Sequence, residues 1–147
     1  MRRRRGLVLL VLLVSLLFPL GGANAENRCK VTGDHLLSKV SSWADLHRWF
    51  KDYADCDDGN LVDDVAEYVT SSLAKDWQDL PKLGQEIKTE PRFKAFVLHH
   101  IDATVDTDDL EAVKKNADQR CPAGSEPLCA SIASAAQSAL AEIKRAQ

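Results

Sequence analysis

Four cysteines constrain this chain more than any other feature: Cys29, Cys56, Cys121 and Cys129. An even number in a small domain reads as a disulfide framework, provided that the chain meets an oxidising compartment. The N terminus predicts that it does. Arg2 to Arg5 form a positive block, Leu7 to Phe18 are apolar apart from Ser15, and Pro19 with Gly21-Gly22 interrupts the run. Ala23-Asn24-Ala25 has the small-x-small pattern of a signal-peptidase site. Residues 1–25 therefore read as a cleaved signal peptide, and 26–147 as one mature domain, periplasmic or secreted. The apolar run is shorter than the roughly 20 residues a membrane span requires. No membrane association is expected after cleavage. Cys29 lacks the small apolar residues before it that a lipoprotein signal would show.

Four cysteines allow three pairings. The segment Cys-Pro-Ala-Gly-Ser-Glu-Pro-Leu-Cys holds two prolines and a glycine and can turn back on itself. It favours Cys121–Cys129 and leaves Cys29–Cys56. A zinc site is the competing use of four cysteines, but there is no CxxC pair, and spacings of 27, 65 and 8 do not suggest tetrahedral ligation.

Apolar periodicity predicts an all-α fold, a compact domain of about five to six helices with two disulfides. A short helix covers Asp34 to Val40. Ser42 caps a second, in which Trp43, Leu46, Trp49, Phe50 and Tyr53 recur at helical spacing. Leu61, Val62, Val65, Tyr68, Val69 and Leu73 mark a third, ending near Lys75 or Asp76. Pro81 and Pro91 open two more, since proline is tolerated in a first helical turn. Thr107 is read as the cap of the next, and Ser125 or Glu126 starts the last. That final helix carries a narrow stripe of small residues, which permits close helix approach. No segment alternates as a strand would.

Charge narrows the partners. Removing the leader takes away four arginines and no acid, leaving 15 Lys and Arg against 22 Asp and Glu, a formal charge of −7. Such a chain repels phosphate backbones, so no nucleic-acid partner is expected. A basic protein surface suits it better.

Several constellations are candidates for chemistry. Asp52, Asp55, Asp57, Asp58, Asp63 and Asp64 crowd one loop and its flanks, and calcium favours such oxygens. The EF-hand template fails there. With Gly59 at its sixth position, Ala54 falls at the first, Cys56 at the third and Val65 at the twelfth. His99, His100 and Asp102 lie close together, but adjacent helical residues point about 100° apart. His100 falls on an apolar stripe and reads as a hydrogen-bonded core residue, His99 reads as exposed, and His35 and His47 read as isolated. HExxH, GxSxG, SxxK, P-loop, dinucleotide and CxxCH patterns are all absent, so no catalytic residue, metal or cofactor is assigned. The aromatic set Trp43, Trp49, Phe50, Tyr53 and Trp77 reads chiefly as core, with Trp43 and Trp49 also candidates for a binding patch.

The expectation for function is an exported, non-enzymatic binding protein, of the inhibitor or immunity type, acting on another protein in the bacterial periplasm. Asp55, Asp57, Asp58, Trp43 and Trp49 are its candidate binding residues. The alternative is an exported enzyme or calcium- or metal-binding protein that uses the Asp-rich loop or the His99–Asp102 region. A structural envelope component or a factor acting on a host is not separated from the first reading by anything in the sequence.

Overall fold

The structure is a computed structural model that describes residues 28–57 and 59–147. The predicted signal peptide and Asp58 lie outside the described residues. Among those described, the chain forms seven α-helices and no strand. They are α1 (Asp34–Leu37), α2 (Trp43–Tyr53), α3 (Asn60–Lys75), α4 (Leu80–Thr89), α5 (Pro91–His99), α6 (Thr107–Gln119) and α7 (Glu126–Ala146). One wide π-helical turn, Arg28–Gly33, runs into α1 and has no counterpart in the sequence expectation.

Both disulfides form as the spacing suggested. Cys29–Cys56 joins the first turn to the end of α2, and Cys121–Cys129 closes the connection between α6 and α7. The second link makes α6 and α7 a stapled helical hairpin. α3 packs on α6, α2 on α4, and α5 on α7. Val65, Val69, Leu83, Phe93, Val97, Leu110, Val113 and Ile132 are fully buried between these layers.

Helix ends are closed by specific side chains. Ser42 accepts from the Asp45 amide, as its position predicted. Thr107, expected to cap α6, is instead its first helical residue. Asp106 takes the role, its carboxylate accepting the amides of Asp108 and Asp109 at 2.8 and 3.2 Å. One carboxylate oxygen, Oδ1, accepts both amides, and its charge suits the positive helix end, so it prevails over the neighbouring hydroxyl. At the other end of α3, Asn116 is buried and donates to the carbonyls of Leu73 and Ala74 at 3.1 and 3.0 Å. Last-turn carbonyls have no partner within their own helix, so this amide ties α3 to α6.

Two tryptophans act similarly. Trp49 is 3 % exposed, and its indole N–H donates to the Gly33 carbonyl at 2.9 Å. The Trp77 indole donates to the carbonyl of Arg120 at 2.8 Å. Each buries a large ring while satisfying its one polar atom. Gly59 enters α3 with φ of 54° and ψ of −131°, backbone that a side chain would strain.

Candidate functional site

The Asp-rich loop does not converge on one point. The Asp55 carboxylate pairs with Arg28, whose guanidinium also donates to the Asp52 carbonyl and lies 5.4 Å from the centre of the Tyr53 ring. The hydrogen bond from Arg28 holds Asp55 below the ordinary carboxylate range. Asp57 turns inward and accepts from His100 Nε2 at 2.9 Å. Asp63 lies in the first turn of α3, where negative charge is favoured. Among the described residues, no three His, Cys, Asp or Glu side chains are placed to hold a metal ion.

The His99–Asp102 region disperses in the same way. His100 is completely buried, as its place on the apolar stripe suggested, and His99 is exposed. The Asp102 carboxylate accepts from the amide and hydroxyl of Thr104 at 2.8 and 2.6 Å, which closes a local turn. Trp43 and Trp49 are 4 % and 3 % exposed. Trp43 meets Tyr68 edge-on at 6.1 Å, and Trp49 stacks on Tyr53 at 6.0 Å. Both indoles belong to the core, and of this aromatic set Tyr53 is the one partly open to solvent.

His47 is not isolated. It is 5 % exposed, its Nδ1 donates to Glu86 at 2.6 Å, and its ring lies 4.7 Å from Phe93. Its Nε2 is buried with no hydrogen-bond partner among the described residues. The sequence does carry a signal for this. His47 stands four residues after Trp43 and three before Phe50, on the inward stripe of α2.

The acids that do gather are those flanking α3. On one side, a groove of about 530 Å³ runs between α3 and α1, and Asp34, Asp64, Glu67 and Asp76 line it with the Tyr68 phenol. On the other side, a groove of about 460 Å³ separates α3 from the start of α6, lined by Asp63, Glu67, Asp106 and Asp109. Glu67 borders both. Among the described residues, no lysine or arginine lines either groove. Lys75, at the end of α3, reaches Asp109 at 3.1 Å. Burial raises the Tyr68 phenol above its ordinary value of 10.0, and the charges of Asp45, Asp76 and Asp79 raise it further. α3 is thus a ridge of carboxylates between two open acidic grooves. It can receive cationic side chains through charge-assisted hydrogen bonds.

No protein-family profile matches the chain, and neither a curated protein nor a solved structure is significantly similar to it. The functional reading therefore rests on the residues themselves.

Proposed function

We propose that the chain is an exported, non-enzymatic binding protein of the inhibitor or immunity type, acting in the bacterial periplasm or outside the cell on a protein with a basic contact surface. The observation that carries this reading is the pair of grooves beside α3, which together present seven carboxylates, of which Asp109 is paired with Lys75, and no lining lysine or arginine among the described residues. Two disulfides support a compartment more oxidising than the cytoplasm. Among the described residues, no helix is long and apolar enough to cross a membrane. In the two imidazole–carboxylate pairs, His47–Glu86 and His100–Asp57, the imidazoles are buried in the core. Within the Asp-rich loop, the Asp55 and Asp57 carboxylates are engaged with Arg28 and His100, which weakens the metal-binding alternative.

Affinity capture tests the proposal. Disulfide-bonded protein is immobilised, and an extract of the native envelope is passed over it at low salt. A discrete partner is expected to bind, and to elute as the screening length falls from about 10 Å at 0.1 M salt to about 3 Å at 1 M. The triple variant Asp63→Asn, Asp64→Asn, Glu67→Gln alters solvent-exposed side chains on α3 and should lose that partner while keeping the wild-type fold. Recovery of no partner, or equal retention by the variant, contradicts the reading.

A further inference from the structure

We propose that His100 and Asp57 form a pH-dependent latch that holds Asp57, ahead of α3, against the end of α5, and that this contact is released as pH rises. The inference concerns the entry to the acidic helix, but it depends neither on the identity of a partner nor on binding.

The geometry of the ring fixes its protonation. His100 is completely buried and ends α5. Nδ1 lies 2.8 Å from the Phe96 carbonyl, and Nε2 lies 2.9 Å from Oδ1 of Asp57. A carbonyl and an ionised carboxylate only accept hydrogen bonds, so both ring nitrogens must donate. A ring that donates twice is an imidazolium. The negative end of α5 favours the same state. Neutral His100 has one proton for two acceptors, and one of the two contacts then sets a lone pair against a lone pair. The Phe96 contact is held within the helix, four residues away. The Asp57 contact joins segments 43 residues apart and is the one that opens.

The surroundings leave few other charges to intervene. Asp102, just beyond α5, adds a second negative charge, and His99 on α5 lies edge-on at 5.3 Å. From α2 and α5 the neighbours are aromatic, with Phe96 at 4.5 Å from the ring and Phe50 packed on Phe96. From α3 the nearest polar group is the Thr70 hydroxyl, which donates to the His100 carbonyl at 3.4 Å. Burial by itself would depress the imidazolium. The hydrogen bonds to Asp57 and Phe96, with the charges of Asp57 and Asp102, outweigh it and hold His100 above its ordinary value of 6.5. The sign follows from that direction. A group raised on folding contributes fully below its unfolded value, and the contribution is lost as pH climbs through the folded value.

What the latch restrains is specific. Asp57 follows Cys56, which is fixed to Cys29, and precedes Gly59, where the backbone turns into α3. Between the disulfide and the helix, the His100 contact is the side-chain tie from Asp57 to α5. Opening it removes a restraint just ahead of α3, whose first turns carry Asp63 and Asp64.

The test uses isotopically labelled, disulfide-bonded protein. Ring nitrogen spectra, in which each of the four histidines is resolved, report His100 directly from pH 5 to 9. Both His100 nitrogens should carry protons at pH 6, and one should be lost as pH climbs through the raised value. Over the same interval, amide exchange in the first half of α3, corrected for the intrinsic pH dependence and compared with α7, should accelerate. The acceleration should approach tenfold per pH unit between 6.5 and the raised value, then level off. Asp57→Asn can donate its amide to a neutral Nε2, so this variant should keep the segment closed at both ends of the range and abolish the dependence. The latch is overturned by a neutral His100 ring at pH 6, by α3 exchange that tracks α7 throughout, or by unchanged pH dependence in Asp57→Asn.

Discussion

Phe93→Ala is expected to destabilise the domain by about 3–5 kcal/mol. Phe93 has no exposed surface and is the largest of the fully buried side chains. Its ring centre lies 5.4 Å from Phe50, 6.0 Å from Phe96 and 4.7 Å from His47. Removing it therefore withdraws contacts from α2 and α5 at once and opens a void beside the His47–Glu86 pair. Phe50 and Phe96 are held by rings on their other sides, so little collapse can fill the space. For a domain of this size the corresponding fall in melting temperature is on the order of 10–20 °C. Denaturant unfolding of wild type and variant checks it. A loss below about 1 kcal/mol would mean that this ring cluster is not the centre of the core.

Opening Cys29–Cys56 comes next, and it should cost more than opening Cys121–Cys129. The first link spans 27 residues and the second 8. Loop-closure entropy alone gives about 3.6 kcal/mol for the longer loop and about 2.6 kcal/mol for the shorter. The structure widens the difference. Contacts that fasten the Arg28–Gly33 turn to the rest of the molecule include the Cys29 link, the Arg28 contacts with Asp52 and Asp55, and the Trp49 bond to Gly33. Cys121–Cys129 instead links two helices that already pack along their length. The paired variants Cys29→Ala with Cys56→Ala, and Cys121→Ala with Cys129→Ala, should rank in that order in unfolding free energy. The reverse ranking would contradict the account.

Much of the fold is legible in the residues. Period-3.6 stripes place α2, α3, α5 and α7, and Pro81 and Pro91 mark the starts of α4 and α5. Short sequence separation and two prolines pick out Cys121–Cys129, which leaves the other pair. What escapes is what tertiary packing decides. Arg28–Gly33 winds into a turn because Cys29 and Trp49 hold it from outside, and no local propensity announces that. Asp106 caps α6 in place of Thr107 because its extended backbone aims the carboxylate back at the helix.

The candidate site shows the same division more sharply. Acids dense in sequence, at 52 to 57, scatter in space, with Asp55 drawn to Arg28 and Asp57 to a histidine 43 residues away. Acids remote in sequence converge instead. Asp34, Asp76, Asp106 and Asp109 come to flank Asp63, Asp64 and Glu67 because α1 and α6 pack against opposite sides of α3. Charge density along a chain reports solvation, whereas charge density on a surface depends on which helices become neighbours. The tryptophans follow the same rule, since Trp43 and Trp49 are large enough to anchor either a core or an interface and only the packing assigns them.

The central claim is that α3 and its two grooves form the surface through which this protein meets a partner. The most direct measurement is site-specific photo-crosslinking in the native host, with the reactive group placed at position 67 between the grooves, or at position 137 on the exposed side of α7. The account predicts one discrete covalent adduct from position 67, lost in the presence of Asp63→Asn with Asp64→Asn, and none from position 137. Absence of any adduct at position 67, or the same adducts from both positions, would contradict it.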